Sequence, residues 1–182
     1  LPRGRDPVPR PVWAGQFSLN GNGEMTGAHW VRDGGWLAGP IMISNSHAIG
    51  PCHTAAVRWM IETYGATWED NHLWAMPVVA ETYDGVLNDI NGLHVTEVHA
   101  RAAIDAARPG PVREGNSGGG AGMICYEFKG GTGTSSRVVD IDGQRFTMGA
   151  LVQANHGLRP WLTVAGTRVG EVMTEDRILD MV

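Results

Sequence analysis

The pattern of apolar and polar residues predicts more strands than helices, because most apolar runs in the chain are short. Residues 40–44 and 77–83 are dominated by apolar side chains and bounded by turn-forming residues, as is typical of strands. Residues 28–37 place aromatic and aliphatic positions on both sides of Asp33-Gly34, which predicts a hairpin. Further strands are predicted at 123–128, at 136–141 and 144–154 joined through Asp142-Gly143, and at 161–169 around Gly166. These tight turns favour antiparallel pairing.

Two stretches have the apolar spacing of helices. Residues 52–64 bring Trp59 and its apolar neighbours onto one face, and Gly65 is a plausible end. Residues 96–107 form a second predicted helix, capped by Thr96. The tail from position 171 reads as helical or frayed. Together with the strands, these helices predict an α+β protein with a mostly antiparallel sheet.

Composition indicates one compact domain. A chain of 182 residues fits a single domain, predicted to span 1–182, and 42% hydrophobic residues suffice for a core. The 26 glycines are about twice the usual share of roughly 7%, without a repeat, so we expect many tight turns or close backbone approaches.

Charge and cysteine usage exclude several classes of protein. The net charge is −5, and the single lysine, Lys129, and the arginines are scattered, so no basic stripe is present for nucleic acid. No apolar run approaches the roughly 20 residues of a membrane span. Cys52 and Cys125 cannot form a disulfide framework and are expected to be buried. They suit the cytoplasm, although a periplasmic location remains open.

Several apparent motifs are weak. Residues 115–119, Gly-Asn-Ser-Gly-Gly, resemble the nucleophile region of trypsin-like proteases, but Asn116 replaces the acidic residue and no matching histidine segment stands upstream. The same glycines lack the Gly-Lys-Ser/Thr of a phosphate-binding loop. The spacings His47 to His53 and His94 to His99 do not place two rings on one helical face, so no metal site is predicted.

Polar side chains at strand ends offer candidate chemistry. On a strand, Glu81 and Tyr83 point to the same face, where a carboxylate and a phenol could hold an ammonium group and donate a hydrogen bond. A half-exposed strand face explains them equally well. Asn155 ends another predicted strand and either caps a turn or supplies an oxyanion donor. Trp74 precedes the 77–83 strand and is a candidate pocket wall or a core residue.

A series of short blocks, taken in order, resembles the L-aminopeptidase/D-esterase family, which includes the DmpA-type and β-peptidyl aminopeptidases. The resemblance runs from about Trp13 to Gly170, and several blocks in order are far more specific than one glycine motif. The blocks are residues 19–27, 43–47, 77–85, 87–92, 114–120, 122–125 with 128–131, and 152–157.

The resemblance implies a self-processed hydrolase with an αββα four-layer sandwich. Family members cleave themselves before a Ser or Thr, and that residue becomes the N-terminal nucleophile of a β chain. This chain would then be an α chain ending shortly before the cleavage point, with its upstream start missing. A partner β chain from the same precursor would carry the nucleophile and complete the fold, and an oligomer of αβ pairs is expected.

The resemblance also assigns roles to four residues. Tyr83 and Asn155 match the family's oxyanion-stabilising pair, Glu81 would bind the free amino group of the substrate, and Trp74 would line the side-chain pocket. No cofactor or metal is implied. Ser117 stands where we expect valine in many relatives, so the trypsin-like motif looks accidental.

The expected activity is the release of N-terminal residues from short peptides, amino-acid amides or esters. Whether the preferred residues are L-, D- or β-amino acids stays open. Two alternatives remain: a self-processing acyltransferase of the ornithine acetyltransferase type, against which Glu81 argues mildly, and a non-catalytic binding protein that retains only this half of the fold.

Overall fold

A computed structural model of the chain describes residues 1–180. The contacts between its Cα atoms divide the chain into two compact units. Unit 1 comprises Leu1–Thr82 and Ile90–Gly110, and unit 2 comprises Tyr83–Asp89 and the chain from Pro111 onward. Met181 and Val182, the end of the predicted helical tail, lie outside the described residues. The organisation of 1–182 as a single domain stays a prediction.

Unit 1 is built around two parallel strands and the helix that connects them. Its strands are β1 (Val12–Trp13), β2 (Trp36–Leu37), β3 (Ile41–Asn45) and β4 (Val78–Thr82), and its helices are α1 (Ala28–Gly34), α2 (Ile49–Asn71) and α3 (Glu97–Ala106), with short 3-10 turns at Ser46–Ala48 and Ile90–Gly92. β1 pairs with β2 antiparallel, whereas β3 pairs with β4 in parallel from Ile41 opposite Val78 to Asn45 opposite Thr82. A third segment adds to the free edge of β4, where Met25 faces Ala80.

The core of unit 1 lies between α2, the β3–β4 pair and α3. α2 buries Ala56, Trp59 and Met60, which share the face predicted from the sequence, and it also buries Cys52. α3 contributes Ala100 and Ile104. The predicted cap of α3 is confirmed, because Thr96 and the His99 side chain form a reciprocal capping box.

Two predictions in unit 1 are wrong. Residues 28–34 form a helix rather than a hairpin strand, and the glycine after it, Gly35, adopts φ 72° and donates its N–H to the Val31 carbonyl. The Gly34-Gly35 pair thus ends a helix instead of making a turn. α2 passes through Gly65 and ends at Asn71, because Trp68 beyond that glycine packs against the core.

Unit 2 is dominated by a long antiparallel hairpin. Its strands are β5 (Ile124–Cys125), β6 (Phe128–Lys129), β7 (Gly131–Ile141) and β8 (Gln144–Ala154), with the helix α4 (Val169–Val172) and 3-10 turns at Gly118–Gly122, Arg159–Trp161 and Ile178–Asp180. The predicted turn of the β7–β8 hairpin is confirmed at Asp142-Gly143, where both residues have positive φ. A two-residue turn of this kind matches the twist of the strands it joins.

Three other predictions need correction. The predicted strand 123–128 is interrupted by a tight turn at Tyr126 and Glu127, both with positive φ, so β5 and β6 form a hairpin. Residues 161–169 make only a single bridge, between Val164 and Thr167. β3 and β4 pair in parallel rather than antiparallel, because the 23-residue helix between them returns the chain to the end of the sheet at which β3 begins. The chain is therefore a mixed α/β structure. Over the described residues, no helix combines the length and apolarity needed to cross a membrane.

Candidate active site

Asn155 follows directly after β8, and its side-chain amide is held at both ends. Its Nδ2 donates to the carbonyl oxygen of Tyr83 at 3.0 Å, and its Oδ1 accepts the N–H of Ile124 at 3.3 Å. These two bonds fix which way the amide faces. One Nδ2 hydrogen is used by Tyr83, and the second is left to donate to another acceptor. The structure thus brings Asn155 onto the backbone of Tyr83, as the strand-end hypothesis requires.

The loop that carries Tyr83 is anchored by a close approach to a glycine. Asp84 is buried, and its Oδ2 accepts the Asn88 amide at 2.9 Å. A Cβ on Gly122 would lie 2.4 Å from the Asp84 Cβ, so only glycine allows this contact. The Tyr83 side chain itself is 52% exposed. No group in the described residues hydrogen-bonds to its hydroxyl, which leaves that donor for a ligand.

Tyr83 and Asn155 both line a shallow cavity of about 280 Å³ in unit 2. The other lining residues are Val86, Gly122, Ile124, His156 and Gly157. A phenol and an amide at the wall of one cavity are two neutral hydrogen-bond donors. This cavity can therefore receive a carbonyl oxygen that acquires negative charge.

Glu81 lies in unit 1, on the last part of β4, and its carboxylate is half-buried. Its Oε2 accepts the Ser46 hydroxyl at 2.5 Å. Over residues 1–180 no arginine, lysine or histidine forms an ion pair with this carboxylate. A partly buried carboxylate with no cation partner among these residues can bind a cationic group of a ligand. β4 ends at Thr82, so Tyr83 is not part of the strand on which it was expected.

Trp74 lines an apolar cavity of about 180 Å³ in unit 1. Its ring lies edge-on to Trp30 at 5.8 Å, and Trp30 meets Trp36 in the same way at 4.9 Å. The remaining lining residues are Pro9, Ala38, Met60, Trp68, Leu73 and Met76. Trp74 is 60% exposed, which favours a pocket wall over a core position. An apolar or aromatic side chain would suit this cavity.

Three side chains that could act as nucleophiles, those of Ser117, Cys52 and Cys125, differ in their surroundings. The Ser117 hydroxyl hydrogen-bonds to no histidine or carboxylate within the described residues, so it lacks the partners that activate a catalytic serine. Cys52 is buried as predicted. The same prediction is wrong for Cys125, which is half-buried with its Sγ 3.6 Å from His156 Nε2.

We expect the two cysteines to react with iodoacetamide at very different rates. Burial raises the pKa of the Cys52 thiol, and a hydrogen bond with Ser44 only partly opposes this, so Cys52 stays protonated and enclosed. Cys125 is accessible. Peptide mapping after brief labelling of the native protein should find the modification on Cys125 alone. Equal labelling of both would contradict the burial of Cys52.

Comparison with known proteins places the chain in a family. The model of Peptidase family S58 matches residues 1–179. The chain belongs to peptidase family S58. This result confirms the resemblance seen in the sequence blocks.

Relatives of this S58 chain include proteins that are named as aminopeptidases. It is 54% identical over 171 residues to the β-peptidyl aminopeptidase BapA of Sphingosinicella microcystinivorans, covering 94% of this chain and 42% of the relative. It is 58% identical to the L-aminopeptidase D-Ala-esterase/amidase of Ochrobactrum anthropi, with a TM-score of 0.92 over 96% of this chain and 48% of that one. A Burkholderia sp. β-aminopeptidase matches at 47% identity and a TM-score of 0.80, over 94% and 47% of the two chains. The chain thus spans less than half the length of these relatives.

The Ochrobactrum structure is described as a new variant of the Ntn hydrolase fold, and this mixed α/β chain matches about half of it. A partner β chain from the same precursor is consistent with that coverage. The sequence patterns gave no role to Ser46 or Gly122, although both lie within the blocks that carry the resemblance.

Proposed function

We propose that this chain is the α-chain part of a self-processed N-terminal-nucleophile aminopeptidase. It would release N-terminal residues from short peptides, amino-acid amides or esters. The observation that carries the proposal is the Asn155 amide, fixed by Tyr83 and Ile124 at the wall of a cavity that the Tyr83 ring also lines. S58 relatives named β-peptidyl aminopeptidase and L-aminopeptidase D-Ala-esterase/amidase support the reaction class.

The nucleophile is the N-terminal Ser or Thr of a partner β chain, which also completes an αββα four-layer sandwich. Its α-amino group accepts the hydroxyl proton during attack on the carbonyl carbon, and an acyl-enzyme forms as the amine or alcohol departs. Water then releases the acid. Tyr83 and Asn155 donate to the oxyanion in both steps. Because this chain spans less than half the length of its relatives, the remaining length leaves room for such a β chain.

The β7–β8 hairpin supports the existence of a partner. Its register places apolar residues of both strands on one face. Those that are about half exposed or more include Ile141, Phe146, Met148 and Val152. An apolar face of this length is unfavourable in water and is usually covered. The β chain, or another αβ pair in an oligomer, would cover it.

Glu81 and Trp74 define what the substrate must carry. The Glu81 carboxylate of unit 1, which forms no ion pair within residues 1–180, would bind a free amino group as an ammonium, which accounts for a requirement for an unblocked N-terminus. The cavity beside Trp74 would take an apolar side chain. No cofactor takes part in this proposal. We place the enzyme in the cytoplasm, where its two free thiols would remain reduced.

Co-purification tests this proposal. We expect intact-mass analysis and N-terminal sequencing of the protein purified from its native precursor to find a second polypeptide that begins with Ser or Thr. Replacing that residue by Ala in the precursor should leave a single unprocessed chain without activity towards amino-acid amides. A purified protein with no second polypeptide would contradict the proposal and favour a binding protein.

A further inference from the structure

The environment of the Glu81 carboxylate is set by two residues to which no role has been assigned. Ser46 follows β3 and begins a 3-10 turn, and its hydroxyl donates to Glu81 Oε2. This bond holds the carboxylate in one orientation and occupies one of its two oxygens. The other oxygen, Oε1, has no donor or cation in contact with it among the described residues. A ligand cation therefore has one defined oxygen on which to bind.

Gly23 lies directly beside that open oxygen. The Glu81 N–H donates to the Glu24 carbonyl at 2.9 Å, and the Thr26 N–H donates to the Val79 carbonyl at 3.0 Å. Residues 24–26 therefore lie along the edge of β4. This pairing brings the preceding residue, Gly23, over the carboxylate. A Cβ at Gly23 would stand 2.7 Å from Glu81 Oε1, so the carboxylate would have to move from its present position to make room for it.

The backbone conformation does not explain this glycine. Gly23 is absent from the positions with positive φ, so an alanine would be free to adopt the same conformation. Glycine instead leaves room for the Glu81 carboxylate in the orientation that Ser46 holds. A methyl group here would displace that carboxylate and crowd Oε1, where a cation would bind.

We propose that Gly23 and Ser46 determine the specificity of the Glu81 site for an unsubstituted primary ammonium group. Ser46 is a positioning residue that orients the carboxylate, and Gly23 leaves room for a compact –NH₃⁺ on Oε1. The inference rests on the proposed function, of which it defines the amine-recognition step. An ammonium contributes up to three N–H donors at short range, whereas bulkier amines would meet the backbone at position 23.

The test uses the processed enzyme and a matched pair of anilide substrates, one with a free amino group and one in which hydrogen replaces it. We expect Gly23→Ala to lower kcat/KM for the amino substrate at least tenfold, mainly through a higher KM. The substrate without the amine should change less than twofold. Ser46→Ala should act in the same direction by a few fold. Gly15→Ala is the control, because a Cβ there meets nothing within 4 Å and φ is not positive.

A second measurement does not depend on turnover. Binding of n-butylammonium, which has no scissile bond, is followed by NMR in the wild type and in Gly23→Ala. We expect the variant to bind at least tenfold more weakly. Unchanged binding, or equal losses on both anilides, would overturn the inference. If the wild type binds the ammonium but hydrolyses neither anilide, the proposed function fails while the assignment of Gly23 and Ser46 stands.

Discussion

Replacing Tyr83 by phenylalanine should lower kcat of the processed enzyme by roughly 10²–10³, the typical loss when one oxyanion donor is removed. The hydroxyl is the only group deleted, and no group in the described residues depends on it. The ring that lines the cavity and the carbonyl that accepts the Asn155 amide are both retained. The effect should therefore fall on kcat far more than on KM, because the lost hydrogen bond is strongest in the transition state.

Tyr126→Phe provides the matched control for Tyr83→Phe. It deletes the same atom from the same residue type in the same unit, and the ring contact with His156, at 4.9 Å between centroids, remains. Activity with an amino-acid anilide should stay within twofold of the wild type for Tyr126→Phe. An equal loss in both variants would show that the Tyr83 hydroxyl has no special role. A rise in KM alone would assign Tyr83 to substrate binding instead.

Local sequence signals predicted the elements whose geometry is set by neighbouring residues. Asp142-Gly143 predicts its turn because both positions need positive φ, and these residue types adopt it at little cost. β3, α2, β4 and α3 were found from their apolar spacing. The direction of β4 relative to β3 was not, since an apolar run looks the same in parallel and antiparallel pairs.

The candidate site could also be predicted only in part from local sequence signals. Tyr83 and Asn155 stood out as polar residues at strand ends, and the structure joins them by a hydrogen bond across 72 positions of sequence. The hairpin that supplies the Ile124 N–H to Asn155 was missed. Its turn uses Tyr126 and Glu127 at φ 52° and 60°, where glycine or asparagine would be the usual signal. Such a turn needs stabilisation from elsewhere in the fold.

Arg159 supplies that stabilisation. Its Nε donates to the Tyr126 carbonyl at 3.0 Å and its Nη2 to the Glu127 carbonyl at 2.8 Å, so both strained residues are held. Its backbone N–H donates to Glu127 Oε1, and its guanidinium lies 3.6 Å from the centre of the Phe128 ring. Arginine is seldom fully buried, yet Arg159 is 2% exposed. The sequence around it resembles a surface loop, which explains why its role could not be predicted.

The same guanidinium also binds the chain near its C-terminal end. Nη1 donates to the carbonyls of Met173 and Glu175, both at 3.2 Å, and Nη2 to that of Asp176 at 3.4 Å. One side chain thus joins the β5–β6 hairpin to residues 173–176. Ile124 on that hairpin donates the hydrogen bond that orients Asn155. Arg159 therefore affects the proposed oxyanion donor indirectly, because it holds the turn of the hairpin to which Ile124 belongs.

Replacing Arg159 by methionine should therefore destabilise unit 2 by about 3–5 kcal/mol, since it leaves the buried Glu127 carbonyl and the partly buried Tyr126 carbonyl without donors, at roughly 1–3 kcal/mol each. The loss should appear as a lower urea midpoint and as proteolytic cleavage at residues 173–176 under native conditions. Arg145→Met is the control: Arg145 is exposed, its contact with Asp140 at 3.9 Å is a surface pair, and its removal should cost less than about 1 kcal/mol. If both variants had the same midpoint, the carbonyls of Tyr126 and Glu127 would not depend on Arg159, and the turn at positive φ would have to be stabilised by β5–β6 pairing alone.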